Sequence, residues 1–90
     1  MELRYRGLLV RMSKDAIKNM HNLELDRVIL EDLLECGTDY RDTKMSKGEV
    51  GLAITRRGAL LFVKLVPSYA PDLDERVWLV KHLGVTRREG

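Results

Sequence analysis

Five side chains in this 90-residue sequence are suited to acting on a phosphodiester: Lys64, Lys81, His82, Tyr69 and Tyr40. Metal-independent cleavage of RNA needs a cation to stabilise the phosphorane and a basic side chain or a tyrosine to move the 2′-hydroxyl proton. Lys64 is the most informative of the five. It interrupts the apolar run Leu60–Val66, and an ammonium cannot face a dry core cheaply. Side chains alternate along a strand. Lys64 therefore puts Leu60, Phe62 and Val66 on an open sheet face, and Ala59, Leu61, Val63 and Leu65 on a covered one. Lys81 argues the same way for the last strand. Val77, Leu79 and Lys81 are expected on the open face, with Trp78 and Val80 beneath helices and His82 at the rim of the helix side. Tyr40 and Tyr69 are expected in the two loops beside that face.

A second set supplies phosphate contacts: Lys44, Lys47, Arg56, Arg57, Arg87 and Arg88. All belong to the expected sheet, its loops or the tail. Residues 13–36 instead carry three cations against six carboxylates. The expected molecule has an acidic back and a basic front, which suits a polyanion such as RNA. The alternative is that these are edge and turn charges that keep the sheet from aggregating. The open face, apolar with two lysines, is also a surface that a protein or a second copy would cover. A closed, curved sheet that buries its own apolar part is the competing expectation.

Other chemistries find less support. His21 and His82 are far apart, and Asp72, Asp74 and Glu75 lack calcium-loop spacing, so no metal or other cofactor is expected. Cys36 is the only cysteine, which excludes an internal disulfide and a multi-cysteine zinc site. It falls on the apolar arc of a helix, near the end where the dipole opposes a thiolate, and is expected to be buried and inert. The serines lie in no nucleophile motif, and no glycine-rich phosphate loop is present.

The elements that position these residues follow from pattern and caps. Leu3–Met12 reads as a first strand. Ser13 caps a short helix to about residue 22, and Asp26 caps a second to about Cys36. In the second, Leu25, Ile29 and Leu33 cluster with Leu30 and Leu34, and Gly37 ends it. Thr38–Lys47 is a loop and Glu49–Thr55 a strand, and Arg57-Gly58 makes a turn. Ala59–Val66 is a central strand stopped by Pro67. Ser68–Asp74 is a second loop and Arg76–Leu83 a last strand. The expected fold is α+β: two N-terminal helices on a four-stranded, mostly antiparallel sheet in the order β-α-α-β-β-β.

Composition sets the frame. Hydrophobic residues make up 44% and charged residues 33%, which reads as one globular domain, 1–90, with a basic tail from about residue 85. No stretch is long and apolar enough for a membrane span, and the start lacks the apolar core of a signal peptide. The expected location is cytoplasmic, with no membrane partner. The sequence has no Gln and two Asn, a composition that suits a hot habitat.

The segment Ser13-Lys14-Asp15-Ala16-Ile17-Lys18-Asn19-Met20, followed by Leu25 and the capped helix to Gly37, resembles a widespread prokaryotic family of small domains. Their signature begins S-x-H-A-x-x-R-M and ends in three strands, and they are similar in topology to the RelE/ParE and BrnT toxins. Here Asp15 stands where the family often has His, and Asn19 where it often has Arg. The resemblance implies a RelE-like fold, a basic face and a small antitoxin-like partner bound in a groove. RelE-type toxins cut mRNA on the ribosome with clustered Lys, Arg and sometimes Tyr or His, but no such cluster matches here residue by residue. The leading expectation is a toxin-like RNA-binding domain, with metal-independent endoribonuclease chemistry as its catalytic form. The alternative is a non-catalytic interaction module or homodimer whose open face binds a protein or itself.

Overall fold

The computed structural model describes residues 3–87. Where one first strand is expected, there are two. Arg6 and Gly7 take positive φ values of 51° and 81° and form a two-residue turn between β1 (Arg4–Tyr5) and β2 (Leu8–Met12). Such turns match the right-handed twist of the strands they join. Helix α1 (Lys14–Asn22) starts where Ser13 Oγ accepts the Ala16 N–H at 3.1 Å. Helix α2 (Arg27–Cys36) starts where Asp26 Oδ1 accepts the Ile29 N–H at 3.1 Å. Four strands follow: β3 (Thr38–Asp39), β4 (Val50–Arg56), β5 (Ala59–Ala70) and β6 (Glu75–Arg87).

The described residues thus form an α+β fold with a six-stranded mixed sheet, in the order β1-β2-β6-β5-β4-β3, rather than a four-stranded one. β2 and β6 run parallel, and the other pairs are antiparallel. No tight turn joins β2 to β6. Two helices and three strands intervene, so nothing local imposes an antiparallel pairing. The sheet is curled. β1 and β3 are its opposite edges, yet Arg6 lines one small pocket together with Asp39, Tyr40 and Arg41.

Helix α2 packs against β1, β4 and β5, and α1 against β2 and β6. Leu30, Leu33 and Leu34 share a buried core with Val10, Leu61, Val63, Leu65, Trp78, Val80 and Leu83. This is the covered face that Lys64 implies. Cys36, expected to be buried, is exposed as the last residue of α2.

Two boundaries move. Pro67 does not stop β5: it pairs with Trp78, and the strand continues to Ala70. The ladder with β4 has already ended at the Val50–Leu65 pair, so at Pro67 β5 is an edge strand, where a proline is tolerated. At the other end, β6 runs through Arg87, so residues 85–87 of the expected basic tail are strand, and the rest of it lies outside the described residues. Among the described residues no helix is long and apolar enough to cross a membrane.

Candidate functional site

The site is built where β5 and β6 slip register. Lys64 pairs with His82, but Leu65 pairs with Val80, which leaves Lys81 as the extra residue of a bulge. The bulge changes the parity of the strand. His82 therefore leaves the helix-side rim expected for it and joins Phe62 on the opposite face, with ring centroids 5.8 Å apart. Gly84 pairs with Phe62, and the aromatic ring occupies the space that a side chain at Gly84 would need.

Residues 40–48 fold over the same face. The Tyr40 N–H donates to the Gly51 carbonyl at 2.9 Å, and the Tyr40 ring stacks on Phe62 at 5.3 Å with 22° between planes. Asp42 accepts the Lys44 N–H at 2.9 Å through Oδ1 and the Lys64 ammonium at 2.6 Å through Oδ2. Arg41 donates to the Glu49 carbonyl oxygen at 3.3 Å. The apolar face expected to be covered by a partner is thus partly covered by the chain itself.

Lys64, Lys81, His82 and Tyr40 do meet on this face, but the lysines arrive paired. The hydrogen bond from Lys64 holds the Asp42 carboxyl below its ordinary range, and Asp42 raises the Lys64 ammonium. Lys81 Nζ lies 3.2 Å from Glu49 Oε1. Glu49 is 3% exposed, whereas the Lys81 side chain is 59% exposed. A buried carboxylate without a counter-charge is costly, so Lys81 serves Glu49 first.

Tyr69 does not belong to the group. It sits on β5 near the hairpin tip, five residues or roughly 17 Å of strand beyond Lys64. Its hydroxyl donates to Asp74, and that bond raises its pKa, opposite to the shift a proton-accepting tyrosine needs. Arg11, which sequence reasoning passed over, makes two hydrogen bonds to Asp72, at 2.9 and 2.6 Å, and holds its carboxyl down.

A different set of cations makes no ion pair among the described residues. Lys44 and Lys47 are exposed in the covering loop, and neither reaches a carboxylate within ion-pair distance. Arg41 spends its hydrogen bond on a backbone carbonyl, and Arg6 lies over the Tyr5 ring at 5.1 Å. Neither arginine carries a periodicity signal, because one lies in an irregular loop and the other in a turn. Arg56 and Arg57 flank the β4–β5 turn at the far end of β4. Backbone register puts Arg87 opposite Ala59 at that same end, and Arg88 lies outside the described residues. Among the described residues no three His, Cys, Asp or Glu side chains gather as a metal site requires.

The Asp42–Lys64 pair gives the loop a pH dependence of known sign. A carboxyl depressed in the folded state adds stability above its unfolded pKa and loses it as pH falls through the depressed value. Asp42→Asn is expected to lower the melting temperature at neutral pH. The loss should shrink in acid, as pH falls through the depressed value and the wild-type carboxyl itself takes up a proton. Equal losses at neutral and acid pH would contradict the pairing. Comparisons of the chain with family models, with curated proteins and with solved structures found no match.

Proposed function

We propose that this protein is an RNA-binding domain on a toxin-like, RelE-like scaffold, working in the cytoplasm beside a small antitoxin-like protein. The division of its cations carries the reading. Lys64, Lys81 and Arg11 are held by carboxylates, while Arg6, Arg41, Lys44, Lys47, Arg56 and Arg57 are left to meet phosphates. The two helices and the longer strands β2, β4, β5 and β6 follow the order β-α-α-β-β-β, which supports the scaffold part of the reading. His82 is exposed beside Phe62 and offers a ring on which a base can stack.

Fluorescence anisotropy with a short single-stranded RNA tests this. About five phosphate contacts predict an affinity loss of about 100-fold between about 50 and 200 mM salt. Absence of binding at low salt would remove RNA as the partner.

The convergence of Lys64, Lys81, His82 and Tyr40 favours a second, catalytic reading. The 2′-oxygen would attack phosphorus and pass its proton to the His82 imidazole. The bond to the 5′-oxygen would break as that oxygen takes a proton back from the His82 imidazolium, leaving a 2′,3′-cyclic phosphate and a 5′-hydroxyl. Lys64 would first have to leave Asp42 to stabilise the phosphorane. Chelator-treated protein that releases cyclic-phosphate ends from RNA supports this reading, and intact RNA after long incubation rejects it.

A further inference from the structure

The β5–β6 hairpin spans much of the 47 Å length of the molecule, and its two ends are chemically complementary. The tip runs Pro71-Asp72-Leu73-Asp74, followed by Glu75 and Arg76. Leu73 is 41% exposed, an apolar side chain among carboxylates. The turn is held from several sides. Arg11 clamps Asp72 with two bonds, and the Tyr69 hydroxyl donates to Asp74. The Leu73 N–H donates to the Ala70 carbonyl at 3.1 Å. A tip fixed in this way presents Leu73 with little further ordering cost on binding.

At the other end of the hairpin lies a groove of about 820 Å³ between the α1–α2 connection, α2 and the β4–β5 turn. Its floor is apolar, from Leu25, Ile29 and Leu61. Arg56 and Arg57 line one side, and Asp26 and Asp32 come from the helix side. No ion pair within 4.0 Å joins these arginines to these carboxylates. Charges of both signs therefore stand unneutralised around an apolar floor, a pattern that suits an occupant with an apolar centre and charges of both signs beside it.

We infer that the hairpin tip of one copy docks into this groove of a second copy. Leu73 meets the apolar floor, Asp74 and Glu75 face Arg56 and Arg57, and Arg76 faces Asp26 and Asp32. Plug and groove lie at opposite ends of one chain, so the contact is head-to-tail. It builds rings or open chains rather than a symmetric pair. This association needs no RNA, which would compete with it for Arg56 and Arg57, and it is measured without nucleic acid so that either reading can fail alone.

Sedimentation velocity over a range of protein concentrations tests the inference. The wild type is expected to gain mass steadily as concentration rises. Leu73→Glu and Arg56→Glu alter exposed positions at the plug and the groove, and each alone is expected to be monomeric with an unchanged circular dichroism spectrum. Leu73→Glu keeps a working groove and Arg56→Glu a working plug. Mixed together, they are expected to form a one-to-one pair that grows no further. A wild type that stays monomeric, a mixture that stays monomeric, or a wild type that stops at a symmetric dimer would each overturn the inference.

Discussion

Replacing Leu33 with alanine is expected to cost about 2–5 kcal/mol of unfolding free energy, measured by chemical denaturation. Leu33 is 0% exposed and lies on the arc of α2 that packs on the sheet. It shares its core with Leu30, Val63, Leu65 and Val80, all at 0–1% exposure, so little can collapse into the space left behind. A domain of this size has a total stability of only about 5–15 kcal/mol. The loss is therefore a large fraction of what holds the fold, and the α2–sheet layer depends on it. A change below about 1 kcal/mol, the range of volume-conserving swaps, would mean that α2 is not the principal cover of the sheet.

Gly51→Ala is expected to detach the loop that covers the site. Gly51 is buried on β4, and a methyl there would overlap the Tyr40 carbonyl oxygen and crowd Met45 Cε at 3.2 Å. The principal obstacle is backbone, which no rotamer change relieves. The strand edge at β3 and the following loop must move, and with them the Tyr40–Gly51 hydrogen bond, the Tyr40–Phe62 stack and the Asp42–Lys64 pair. Overpacking of this kind costs about 1–3 kcal/mol. Trypsin should then cut faster after Arg41, Lys44 and Lys47 at temperatures where the core is still folded. Gly84→Ala is a useful contrast, because its obstacle is the Phe62 ring, which can turn aside. Unchanged cleavage in Gly51→Ala would contradict the close approach of loop and strand.

The caps and the layer were legible because they are local or periodic. Ser13 and Asp26 each stand one residue before a helix that follows its own apolar spacing. Lys64 marks the two faces of β5 because side-chain alternation has no exception there. His82 was misplaced for the complementary reason. A bulge shifts parity by one, and nothing in Val80-Lys81-His82-Leu83 announces it. Pro67 reads as a stop unless one knows that the neighbouring strand has already ended. The two-residue strands β1 and β3 are too short for any pattern. The decisive feature, loop 40–48 folded over the face with Asp42 on Lys64, joins residues 22 apart and has no local signature. The basic residues could be read from sequence; which of them were already paired could not.

The salt dependence of RNA binding tests this division of cations most directly. The slope of log affinity against log salt would be measured for the wild type, for the triple variant Arg41→Ala/Lys44→Ala/Lys47→Ala, and for Lys81→Ala. Each lost phosphate contact to a single strand lowers the magnitude of the slope by roughly 0.7, so the triple variant is expected to lose about 2. Lys81, occupied by Glu49, should leave the slope where it was. A slope that falls in Lys81→Ala but not in the triple variant would contradict the account.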